Sequence, residues 1–168
     1  MPFTIHDASA PVLLHTLGQL AHLLDKGLAH AQSAGFDPAV LVQARLAPDM
    51  FPLARQVQSA SDASKFAVAR LTGVESPRFP DVETTFEELQ QRITNTRTYI
   101  ASVPRAAYEG AEDRPVTIKT GKGELNFTGA AYLQHFALPN FFFHVTTAYA
   151  ILRHNGVPVG KMDFLGRP

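Results

Sequence analysis

The sequence predicts an all-α fold: a bundle of four helices with a small β-hairpin between helices three and four, built as one domain over residues 1–168. Three observations predict it. The stretch Ala137 to Gly156, ALPNFFFHVTTAYAILRHNG, is apolar nearly all the way round a helical wheel, as the innermost helix of a bundle requires. Leu13, Leu17, Leu20, Leu24 and Leu28 recur at helical spacing and form one apolar stripe. PVTIKT and ELNFT alternate apolar and polar residues about a central GKG, the pattern of a two-stranded hairpin over residues 115–127.

Taken in order, the first helix is expected to be capped by Asp7 or Ser9, with Pro11 in its first turn, and to stop at Gly35. His15 and His22 lie on its polar side beside Gln19 and Lys26 and read as solvated. Asp37 and Pro38 open a short helix ending near Ala44. Two prolines four apart, Pro48 and Pro52, bend the chain around Pro48, and the second long helix is expected from about Asp49 to Gly73. Its face of Leu53, Val57, Ala60, Ser64, Ala67, Val68 and Leu71 is rich in small residues and admits a close neighbour, while Gln56, Gln58, Ser61 and Asp62 border it. The proline-rich VESPRFPDV reads as an extended crossover. Thr84 or Thr85 with Glu87 or Glu88 makes a capping box for helix three, whose stripe is Phe86, Leu89, Ile93 and Ile100.

In the hairpin, Val116, Ile118, Leu125 and Phe127 are expected to face inward. Thr128 and Gly129 then open helix four, and Pro139 is expected to kink it. The tail, residues 157–168, is too short and too rich in turn residues for another helix; it folds back on the bundle or crosses to a second subunit.

Composition narrows the function. Lysine plus arginine and aspartate plus glutamate number 15 each, and the basic residues are scattered singly, so nucleic acid is not an expected partner. The absence of cysteine removes disulfides, thiolate nucleophiles and zinc-thiolate sites and fits a cytoplasmic protein. No apolar run approaches the roughly 18 residues of a membrane span, so a soluble protein without membrane contact is expected.

The functional lead is a polar row on helix four. Asn140, His144 and Thr147 stand at i, i+4 and i+7, on one face of an otherwise apolar helix. A buried imidazole in an apolar cleft is suited to general-base work near neutral pH, or to a metal assisted by Asp62 or Asp49. The plainer reading makes His144 a core histidine hydrogen-bonded to Gln58 or a backbone carbonyl.

The order of elements, the crossover after helix two and the ending H-x-x-x-A-Y-x-x-L-R-x-N-G resemble the DinB/YfiT-like superfamily of bacterial four-helix bundles. More narrowly, RLAPDMFPLARQVQ, FALPNFFFHVTTAYAILRHNG and GKMDFLG resemble a bacterial family within it known as a domain of unknown function. The resemblance spans essentially the whole chain. It implies an up-down-down-up bundle, often a homodimer, and a metal-dependent transferase or hydrolase if the protein is an enzyme; the superfamily includes thiol transferases using bacillithiol or mycothiol. The superfamily's three-histidine site for nickel or zinc falls here on His144, on Asn140 and near Gln58 or Ser59. Only one of the three is a histidine, which leaves a degenerate divalent-metal site.

Two functions follow from these residues. The first is a small-molecule pocket between helices two and four, lined by Asn140, His144, Thr147, Gln58, Asp62 and Asp49, with His144 as the best catalytic candidate. The second is a non-catalytic dimeric binding or stress-related scaffold, suggested by Phe66, Phe141 to Phe143 and the apolar tail.

Overall fold

The structure, a computed structural model, describes residues 3–166. Four long helices dominate: α1 (Ile5–Ala34), α3 (Leu53–Thr72), α4 (Phe86–Ser102) and α6 (Leu138–His154). Shorter pieces join them: α2 (Ala39–Gln43), the antiparallel strands β1 (Pro115–Thr120) and β2 (Gly123–Thr128), α5 (Gly129–Tyr132) and α7 (Lys161–Leu165). Among the described residues no helix is long and apolar enough to cross a membrane.

Helix starts follow local chemistry. Thr4 caps α1, accepting from the Asp7 N–H while the Asp7 carboxylate accepts from the Thr4 N–H at 3.0 Å, a reciprocal box. Asp7 therefore sits inside the first turn instead of capping it, and Pro11 falls within the helix. The α4 box is Thr85 with Glu88. Helix α3 begins at Leu53 instead of Asp49, because Pro52 disfavours helical backbone in the residue before it and supplies a fixed φ at the cap.

The innermost helix is α3, not α6. Twelve of the twenty α3 residues are buried, against six of seventeen in α6. Helix α3 packs against α6 and α4 and touches α1, so its small residues are overlaid on several sides. The more apolar α6 keeps one face open, with Phe143 56% exposed. Hydropathy misleads here because α3 buries polar groups that find partners on neighbouring elements, as Ser61 does with Thr96 of α4 at 2.6 Å.

Pro139 produces a wide turn in place of a sharp kink. Residues Leu133–Ala137 form a π-helical turn, and the Leu138 N–H reaches back to the Leu133 carbonyl. The extra residue places the proline ring in the first turn of α6, where the missing N–H costs little. The hairpin pairs Val116 with Phe127 and Ile118 with Leu125. Val116 and Ile118 are buried and Phe127 is partly so, whereas Leu125, near the turn, is exposed because the hairpin tip extends beyond the helices it rests on.

The tail does contain a helix. The Gly160 N–H donates to the Asp163 carboxylate at 2.8 Å and starts α7. That same carboxylate accepts from Lys26 at 3.0 Å and contacts His22 at 3.0 Å, and His15 donates to the Leu165 carbonyl at 2.7 Å. His15 and His22 of α1 are thus the seat of the folded-back tail. Tyr149 meets Phe164 edge to face and closes the other side.

Candidate functional site

The site of interest lies where the start of α3 meets α6. The Leu53 N–H donates to the Ala44 carbonyl at 2.9 Å, fastening α3 to the end of α2. One turn later Gln56, only 2% exposed, projects toward α6. Its amide nitrogen donates to the Phe51 carbonyl at 3.2 Å, and its amide oxygen lies 2.8 Å from His144 Nδ1. His144 is half-buried. Burial, and secondarily the positive charge of Arg55, lower its pKa below the usual histidine value. The imidazole is therefore neutral at pH 7.

Among the described residues His144 Nε2 has no hydrogen-bond partner, and it is not one of their fully buried unpartnered polar atoms. Around it stand Phe143, whose ring meets the imidazole edge-on at 5.3 Å, and Arg55, whose guanidinium lies 5.5 Å from the centre of the Phe51 ring. Phe51 is 51% exposed and Phe143 56% exposed, so both rings present aromatic surface.

The other predicted residues divide between this site and a second cluster. Asn140 is half-buried one turn before His144. Thr147 is buried, and its hydroxyl donates to the Phe143 carbonyl at 2.7 Å within its own helix, so its one O–H is not available to a ligand. Asp49 is exposed in the turn before α3. Gln58 and Asp62 do not face His144. Residues two apart on a helix diverge by about 200°, so when Gln56 points at α6, Gln58 points at α4 and the crossover. The partner of His144 is accordingly Gln56, not Gln58.

Gln58 and Asp62 join a network of six charges. Arg92, whose side chain is 1% exposed, donates to Asp62 at 2.9 Å, Asp81 at 3.0 Å, Glu83 at 3.0 Å and the Pro80 carbonyl at 3.1 Å. Lys65, equally buried, reaches Asp62 at 2.8 Å. Arg55 pairs with Asp81 and with the Gln58 oxygen, and the Gln58 amide donates to Glu83 at 3.0 Å. Three cations face three anions, so the buried charge is balanced. Phe79 covers the cluster, with Lys65 Nζ 4.6 Å and Arg92 Cζ 5.8 Å from its ring centre. Burial alone raises the Asp81 carboxyl, but Arg55 and Arg92 together hold it below the ordinary carboxylate value.

Five surface clefts, of about 210 to 540 Å³, are lined by none of Asn140, His144, Thr147, Gln58, Asp62 and Asp49. The largest lies at the start of α1, beside His6, Arg105 and Tyr108. His144 is half-buried, with the Phe143 ring at its edge.

A three-ligand metal does not fit the residues present. Gln56 occupies His144 Nδ1, the Gln58 amide is committed to Arg55 and Glu83, and Asn140 offers a neutral, weak oxygen. Among the described residues no three histidine, aspartate or glutamate side chains gather as a metal would need. Sequence reasoning noted Gln56 only as a flank of a stripe. The two-residue offset between Gln56 and Gln58 was the signal that only one of them can face α6.

Residues 5–165 match the family described as Domain of unknown function (DUF1993). A solved structure, that of a DinB family member protein from Shewanella denitrificans, is 41% identical, superposes with a TM-score of 0.91, and covers 98% of this chain and 93% of its own. No curated protein matches the chain. With its helical fold, its short hairpin and this near full-length agreement, the chain belongs to the DUF1993 family, a DinB-like family of unknown function.

Proposed function

We propose that the protein is a small-molecule-binding domain whose ligand contacts His144 at the junction of α3 and α6, without a tightly held metal. The observation that carries this is an imidazole held at Nδ1 by Gln56, with its pKa lowered and, among the described residues, no partner at Nε2. Exposed Phe143 and Phe51 supply apolar contact area, and half-exposed Arg55 supplies a cation beside it. If the site is catalytic, His144 is the general base. The absence of cysteine supports a cytoplasmic setting.

The experiment is a perturbation map by heteronuclear NMR against a set of small aromatic alcohols, amines and acids. Binding at this site shifts resonances of Phe51, Arg55, Gln56, Phe143 and His144, and His144→Ala abolishes the shifts. A map confined to the cleft beside His6 and Arg105, or no response at all, overturns the proposal.

A second reading has one specific observation in its favour: Phe143 and Phe51 are both large and exposed. They suit a homodimer interface as well as a ligand. Sedimentation separates the two, because a dimer that Phe143→Glu dissociates supports the interface, whereas a monomer removes it.

A further inference from the structure

We propose that Gln56 is a positioning residue that holds His144 in its Nδ1–H tautomer, leaving Nε2 as a hydrogen-bond acceptor for a ligand O–H or N–H group. This rests on the reading of His144 as the ligand-contacting residue.

The Phe51 carbonyl can only accept, so the group facing it at 3.2 Å is the Gln56 NH₂. The opposite orientation would set two oxygens against each other. With the NH₂ fixed, the Gln56 oxygen is the atom 2.8 Å from His144 Nδ1. An amide oxygen cannot donate, so Nδ1 carries the hydrogen. A neutral imidazole holds one N–H, and Nε2 therefore bears a lone pair.

The relay is rigid at both ends. Gln56 is 2% exposed, its own N–H is bonded to the Pro52 carbonyl at 3.0 Å, and Phe51 and Pro52 precede the helix in extended backbone. A donor aimed at a ligand would select carbonyls and carboxylates. An acceptor selects alcohols, phenols and amines, and lets the imidazole take a proton if the ligand is to become a nucleophile. The aromatic walls at Phe51 and Phe143 favour a ring-bearing member of that class.

The test uses ring-¹⁵N NMR of His144 at pH 7.5 in the parent, in Gln56→Met, which keeps the length and loses the acceptor, and in Gln56→Glu, which keeps an acceptor. The parent and Gln56→Glu are expected to show a protonated Nδ1, and Gln56→Met an average of both tautomers. A parent protonated at Nε2, or a Gln56→Met protein that keeps the Nδ1–H signature, overturns the proposal. Phenol and toluene then serve as paired probes. Phenol is expected to bind better than toluene in the parent, and that advantage should fall about fivefold in Gln56→Met, as loss of one hydrogen bond predicts. An undiminished advantage in Gln56→Met refutes the positioning role. Failure of both probes to shift His144, with the tautomer signature intact, refutes the binding reading alone.

Discussion

Replacing Arg92 with methionine tests the charge network that ties the crossover to the bundle. The variant keeps most of the apolar stem and deletes the guanidinium that joins Asp62, Asp81, Glu83 and the Pro80 carbonyl. Removing one partner of a buried ion pair costs about 3–5 kcal/mol because the remaining charge stays desolvated. Here the cost falls at the lower end. Asp62 retains Lys65, Asp81 retains Arg55, and only Glu83, 11% exposed at its side chain, is left with a neutral partner in Gln58. A loss of about 3 kcal/mol in a chain of this size lowers Tm by about 6–12 °C. The assay is urea and thermal unfolding of parent and variant at several pH values. The Asp81 carboxyl lies below its ordinary value in the folded state, so its share of the stability is present above the unfolded carboxylate pKa and is lost as pH falls through the folded one. The difference between parent and variant should therefore be full at pH 7 and shrink below pH about 4. A variant within about 0.5 kcal/mol of the parent at pH 7, or a gap that does not narrow in acid, refutes the network as a source of stability.

Other perturbations probe separate parts of the molecule. Gly129→Ala should destabilise by about 1–3 kcal/mol or abolish folding, because a Cβ there would stand 1.8 Å from the Ala111 carbonyl oxygen, and backbone must move; unchanged unfolding would show that the close approach is wrong. His144→Ala should cost about 1–3 kcal/mol by leaving the Gln56 oxygen unpaired. Because the folded pKa of His144 is lowered, the parent should lose stability as pH falls below the unfolded histidine value near 6.5, and His144→Ala should lack that component; parallel pH profiles would contradict it. Asp163→Ala should release α7, read as faster amide exchange over residues 161–165 with Tm nearly unchanged, since its bonds to Gly160, His22 and Lys26 hold only the tail.

Periodicity exposed what repeats and missed what is made across the fold. The leucine stripe of α1, the Thr85 box and the GKG hairpin each rest on neighbours in sequence, and each is present in the structure. The rank of α3 as the central helix was hidden because its burial depends on Arg92, Glu83 and Asp81, which lie some 20 to 40 residues away in the chain. VESPRFPDV looked like a connector because it has no period, yet it delivers Phe79 and Asp81 to the network. His15 and His22 looked solvated because their partners belong to a tail of five helical residues, too short for any periodic signal. At the candidate site His144 was legible as the one imidazole in an apolar row. Its partner was not, since the choice between Gln56 and Gln58 depends on how far α3 is rotated about its axis, which the bend at Pro52 sets.

The His144 site is a positioned imidazole that holds no metal of its own. Calorimetric titration of tag-free protein with nickel and zinc, in the parent and in His144→Ala, tests this. No stoichiometric binding is expected in either protein, because His144 has one nitrogen occupied by Gln56 and, among the described residues, no cluster of three metal-ligating side chains forms. One metal per chain, bound tightly by the parent and lost in His144→Ala, would contradict it.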